Sequence, residues 1–169
     1  MLDFNLEYAT EDLEIFLKEH LELLDLVVHL SICESFTLDL LHFIHINFFK
    51  ELPFNIEFSL INSNICNQNF NNGYEIIKDV KIHLIRTYFK NYSTEKKILI
   101  VEFFKQYFRK FNPYSNRKLL IKSIDLHFEA IISPTNCLNL IKEYKKDKDP
   151  YIINWINYTE SLLKIKQLI

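Results

Sequence analysis

Glycine is nearly missing from this chain: Gly73 stands alone among 169 residues, where ordinary composition would supply about twelve. Loops that cradle phosphate need several glycines so that backbone N–H groups can approach the ligand. One glycine builds neither G-x-G-x-x-G nor G-x-x-x-x-G-K-[ST], which excludes dinucleotide-binding and P-loop enzymes. It also excludes the strained G-x-S-x-G elbow of the α/β-hydrolases. Lys, Ile, Asn and Phe are abundant instead, a bias that suits an AT-rich coding sequence.

Cysteine is scarce as well. Cys33, Cys66 and Cys137 are far apart and odd in number, which points to three reduced thiols, two of them in the core, rather than a disulfide framework. There is no C-x-x-C, no H-E-x-x-H, and no H-x-E followed by P-C-x-x-C. The longest apolar runs are a few residues, against the ~18 that a membrane span needs. Met1–Glu7 has neither the basic region nor the apolar run of a secretory signal. The expectation is a soluble, cytoplasmic chain with no membrane association and no cofactor.

What is present suffices for a core. Apolar residues make up 49%, with 15 Phe and 9 Tyr, enough surface to order the chain rather than leave it disordered. The length fits a single globular domain over residues 1–169. Apolar spacings of three and four predict helices over 10–30, 37–51, 75–92, 94–111, 134–146 and 150–167. Thr10, Thr37 and Ser93 stand where N-caps belong, and Ser133-Pro134 and Asp149-Pro150 give the cap-then-proline start. In the first helix Leu13, Phe16, Leu17, Leu21, Leu24 and Val28 form the inner stripe. Leu2–Tyr8, Leu52–Leu60 and Ser123–Ala130 alternate as strands do, with Asp3, Asn5, Glu7, Asn55, Glu57, Asp125, His127 and Glu129 on a wet face. Asn62–Gly73, crowded with turn formers, reads as a loop. The predicted fold class is helix-rich α+β, about six helices with a small antiparallel sheet; the alternative is an all-α helical bundle.

Charge is distributed unevenly along the chain. Residues 1–80 carry 14 Asp/Glu against 3 Lys, residues 81–122 carry 11 Lys/Arg against 2 Glu, and residues 123–169 cancel. An acidic segment of this kind attracts basic surfaces and speeds their docking. Its candidate partner-binding residues are Asp3, Glu7, Glu11, Glu14, Glu22 and Asp25. They would place carboxylates where a nuclease or nucleic-acid-binding machine expects phosphates, as an inhibitor, antitoxin or immunity-type protein does. The basic segment interleaves cations with aromatics, which suits single-stranded nucleic acid. Arg86, Tyr88, Lys90, Lys105, Tyr107, Arg109, Lys110, Arg117 and Lys118, with Tyr114, carry that alternative. A further account has the two segments cancelling each other internally.

No catalytic residue set stands out. Asp125, His127 and Glu129 would share one side of a strand, but no E-x-K follows Glu129. His42 and His45 lie three apart on one helix with Cys33 close in sequence. A zinc site needs three or four converging ligands, and no convincing further ligand is evident, so no metal is expected. The sequence therefore points to a non-enzymatic protein-binding module, with nucleic-acid binding as the alternative and no partner or oligomeric state identified.

Overall fold

The computed structural model describes residues 10–69, 73–111 and 117–167. The expected strand Leu2–Tyr8 and the candidates Asp3, Glu7 and Tyr114 lie outside them. Among the described residues there are nine α-helices and one two-stranded antiparallel sheet, so the chain is helix-rich with more helices than the six expected. None of these helices is long and apolar enough to cross a membrane. The chain divides into two compact units, residues 1–91 and 92–169.

The first unit opens with α1 (Glu11–Glu19), whose N-cap is Thr10: the Leu13 N–H donates to Thr10 Oγ1 at 3.3 Å. Glu11, Asp12 and Glu14 occupy its first turn, where the helix dipole favours anions. The helix predicted to run unbroken to residue 30 stops at His20. A 3₁₀ turn over Leu21–Leu23 follows, and α2 (Leu24–Ser31) restarts the path. The break changes the phase of the apolar stripe, so Leu21 is exposed and Leu23 takes the buried place. Thr37 caps α3 (Leu38–Phe48) through the Leu40 N–H at 3.2 Å.

Leu52–Leu60 is not a strand. Beyond Pro53 the chain forms α4 (Asn55–Ile61), which buries Ile56 and Leu60, four apart, on one side. The sheet's first strand lies instead in the segment read as a loop, and its second takes the start of the helix expected over 75–92, which begins only at Lys78. β1 (Cys66–Gln68) pairs with β2 (Tyr74–Ile76) in the register Cys66↔Ile76, Asn67↔Glu75, Gln68↔Tyr74, and Tyr74 also bridges Phe36. Gly73 suits this junction, where room for a side chain is short. A Cβ there would come within 3.1–3.2 Å of the Asn69 amide and of the Phe36 carbonyl oxygen, and the backbone cannot retreat because Tyr74 bonds Phe36 in both directions at 2.7 and 2.8 Å. α5 (Lys78–Asn91) follows and packs on α2.

The second unit holds α6 (Thr94–Phe111), α7 (Arg117–Ile132), α8 (Pro134–Tyr144) and α9 (Pro150–Gln167). Ser93 caps α6 through the Lys96 N–H, and Asp149 caps α9 through the Tyr151 and Ile152 N–H groups. Pro134 opens α8 without a side-chain cap from Ser133. Ser123–Ala130, expected as a strand, is the interior of α7, which packs against α6, α8 and α9. Phe128 of α7 stacks on Phe104 of α6 with ring centroids 5.9 Å apart and planes 12° apart.

Cys33, Cys66 and Cys137 are free thiols and all three are buried. Burial pushes the Cys66 thiol up to about 12 and the Cys137 thiol up to about 11, with nearby Glu75 and Glu129 adding smaller upward contributions. The folded protein thus keeps protons that the unfolded chain releases at lower pH. Their contribution to stability is complete below the ordinary thiol value of about 8.5 and is lost as pH rises through 11–12. Thermal unfolding should show a melting temperature that declines steadily above pH 9. In the native protein at pH 8 a thiol reagent should leave all three cysteines unlabelled, and denaturant should expose all three; rapid native labelling would contradict this burial.

Candidate functional site

The acidic candidates of the first unit lie on two elements rather than one. Glu11 and Glu14 are on α1, while Glu22 is in the 3₁₀ turn and Asp25 opens α2. Glu11 and Glu22 are exposed, and Glu14 and Asp25 are half-buried. Two exposed apolar side chains, Ile15 and Leu21, fall among them. Carboxylates and exposed apolar side chains thus alternate along this stretch, the two kinds of group that protein interfaces combine. The sequence stripe had put Leu21 in the core; the turn at His20 moves it to the surface. The first unit holds 14 Asp/Glu against 6 Lys/Arg, a balance of −8, and the second holds 8 against 14, a balance of +6.

The basic candidates are dispersed. Tyr88 is 0% exposed, and burial raises its phenol above the ordinary range, so it packs the core and reaches no base. Lys105 is buried too; its ammonium donates to Glu129 Oε1 at 2.9 Å and lies 3.7 Å from Glu102. Arg109 pairs with Asp125 at 3.2 Å. Tyr107 packs against Phe108 and Phe111. Arg86, Lys90 and Lys110 are exposed, Arg86 and Lys90 in the first unit and Lys110 in the second. Arg117 and Lys118 belong to α7. Lys105 and Arg109 are thus matched by carboxylates of their own unit.

Those carboxylates belong to the trio expected on a strand. In α7 Asp125 and Glu129 are four apart and share a face, where they meet Arg109 and Lys105. His127 lies elsewhere, buried among Phe128, Trp155 and Tyr158. The helix separates the histidine from the two acids, so no acid–base or metal constellation forms there.

A different cluster assembles in the first unit. His42 and His45 share a face of α3, and α4 brings Glu57, twelve residues beyond His45, against both. His42 Nδ1 lies 2.9 Å and His45 Nδ1 2.6 Å from the same oxygen, Glu57 Oε1. The far nitrogen of His45, Nε2, is 2.9 Å from the Leu52 carbonyl oxygen. His45 is buried and Glu57 nearly so, while the His42 side chain is 47% exposed. Phe54 covers the cluster, its ring stacked on His42 at 6.0 Å and edge-on to His45 at 5.4 Å. Among the described residues this is the one group of three metal-ligating side chains whose ligand atoms all lie within 4.8 Å of one another. Cys33, the neighbour considered from sequence, is not in it. The i, i+3 histidines were visible in the sequence; Glu57 was misplaced because its segment was read as a strand.

Comparison with protein-family models, with curated proteins and with solved structures finds no match to this chain.

The Lys105–Glu129 geometry gives a direct test. Lys105→Ala strands a mostly buried carboxylate and should lower stability by about 2 kcal/mol in urea denaturation. This is less than the roughly 3–5 kcal/mol of a fully buried pair, because Glu129 retains some solvent contact. Lys90→Ala, at an exposed site, should change stability by less than about 0.5 kcal/mol.

Proposed function

We propose that this chain is a non-enzymatic protein-docking module that neutralises a basic partner through its acidic first unit, in the manner of an inhibitor or immunity-type protein. The observation that carries the reading is the exposure of Glu11 and Glu22, with the two apolar side chains Ile15 and Leu21 also exposed along the same stretch, in a unit with a balance of −8. Exposed carboxylates steer a cationic surface into place, and the apolar pair supplies contact that charge alone does not. The partner class is a protein whose basic surface normally meets phosphate, such as a nuclease or a nucleic-acid-binding machine.

Single-stranded nucleic-acid binding is the second reading, and the +6 balance of the second unit supports it. It must work without Tyr88 as a stacking platform and with Lys105 and Arg109 already engaged by acids.

A low-salt pulldown from host-cell lysate, with and without nuclease treatment, separates the two. The docking reading expects one stoichiometric protein that survives nuclease and elutes as salt is raised. The triple variant Glu11→Lys, Glu14→Lys, Glu22→Lys should slow its association by about tenfold or more at low salt and flatten the salt dependence. Unchanged association by the triple variant would remove this face from the interface. Nucleic acid in the eluate, or capture that disappears with nuclease, would favour the second reading.

A further inference from the structure

The cluster on α3 and α4 contains more acceptors than its neutral form can satisfy. The Leu52 carbonyl oxygen can only accept, so His45 Nε2 carries a proton and donates to it at 2.9 Å. A neutral His45 then presents the lone pair of Nδ1 to Glu57 Oε1, 2.6 Å away, and His42 Nδ1 faces the same oxygen at 2.9 Å. Lone pair against carboxylate is repulsive unless a cation lies between them. A bridging proton relieves that repulsion, and so does a metal ion admitted among the three atoms once Glu57 Oε1 moves back from the two nitrogens.

We propose that His42, His45 and Glu57 bind a divalent transition-metal ion of the zinc type, with a fourth position left for water or a further ligand. Two imidazoles and one carboxylate form a ligand set that suits zinc, and three protein ligands with an open position is the arrangement of non-structural zinc sites. The bond from His45 Nε2–H to a backbone carbonyl is the outer support that ligating histidines usually have, since it fixes the tautomer and aims the other nitrogen at the metal. Burial of His45 and the partial shielding of Glu57 limit competing water. The Phe54 ring, 71% exposed, walls the cluster on the side where it stacks on His42. Bonds of 2.0–2.2 Å in tetrahedral array place ligand atoms about 3.3 Å apart. From 2.6 Å and 2.9 Å the site reaches that spacing if Glu57 Oε1 withdraws by about 0.7 Å from His45 and about 0.4 Å from His42, a movement that a change of the Glu57 side-chain torsions would supply. The excess of 14 acidic over 6 basic side chains in this unit draws divalent cations toward it.

This site is independent of the docking face on α1, and its test uses the whole chain and metal salts alone. Chelator-treated protein is titrated with zinc chloride in a calorimeter and, separately, with cobalt chloride under a visible spectrometer. The expected results are saturable one-to-one zinc binding in the micromolar range or tighter, and the intense visible bands of four-coordinate cobalt, bleached by zinc. His42→Ala removes an exposed ligand and Glu57→Gln removes the charge while keeping the shape; each should weaken zinc binding by about 100-fold or more, with circular dichroism unchanged. His42→Cys, which restores a ligand, should recover a cobalt spectrum shifted toward thiolate bands. Absence of saturable zinc binding by the wild-type chain overturns the proposal and leaves a proton as the bridging cation. Zinc binding that is undiminished in both His42→Ala and Glu57→Gln overturns it equally, because the metal then sits elsewhere.

Discussion

Each unit is built around one helix most of whose described side chains are buried or partly buried. In α2 every residue except Asp25 is buried, and in α7 Ser123, Ile124, Leu126, His127, Phe128, Ala130 and Ile131 are. Such a helix contributes burial on most of its sides, but neighbours must cover them, and its polar residues must be accommodated inside. Ser31 does so by donating to the Val28 carbonyl, and His29 by turning Nδ1 to the Asp25 carbonyl between the rings of Phe48 and Phe49. α7 solves the same problem with ion pairs: Asp125 and Glu129 leave the apolar surround by reaching Arg109 and Lys105 of α6. The surrounding helices are placed by the need to enclose these two, which is why α5 covers α2 and why α6, α8 and α9 all meet α7.

That enclosure also explains which elements could be read from sequence. Most amphipathic helices and four of their starts were legible, because one-sided burial leaves a clean spacing of three and four and because Thr10, Thr37, Ser93 and Asp149 cap where their hydroxyl or carboxylate chemistry predicts; the break at His20 and the late start of α5 were not. α7 was read as a strand because a helix buried on several sides shows no polar stripe; its polar residues at 123, 125, 127 and 129 fall at every second place by serving different neighbours. α4 misled for the opposite reason. Leu52, Phe54, Ile56, Phe58 and Leu60 alternate, yet Phe54 and Phe58 are 71% and 70% exposed and only Ile56 and Leu60 face inward. Exposed phenylalanine defeats any reading that equates apolar with buried. The hairpin was hidden because its strands are three residues each, Cys-Asn-Gln and Tyr-Glu-Ile, too short to carry a pattern separable from a loop or a helix start.

The candidate sites follow the same division. The acidity of the first unit is a property of composition and survived folding, whereas the placement of Leu21 at the surface depends on a helix break that periodicity alone did not mark. The basic segment looked like a binding surface because cations and aromatics alternate there. Folding sent Tyr88 inward and gave Lys105 and Arg109 acidic partners from sixteen or more residues away. For the histidine cluster, two of three members were apparent from local spacing, and the third required knowing that α4 turns back onto α3.

Gly73 shows where composition and geometry conflict. A chain this poor in glycine has accepted side chains at nearly every turn, including the left-handed position held by Lys148 at φ 53°. Gly73 is not in a left-handed conformation; what fixes it is lack of room beside Asn69 and the Phe36 carbonyl. Backbone strain can be tolerated by a lysine with a free side chain, but a methyl group pressed against a paired main chain has nowhere to go. A drift that exchanged glycine for bulkier residues elsewhere would meet resistance at this hairpin, where a side chain must displace the Asn69 amide and press on the paired main chain of Phe36.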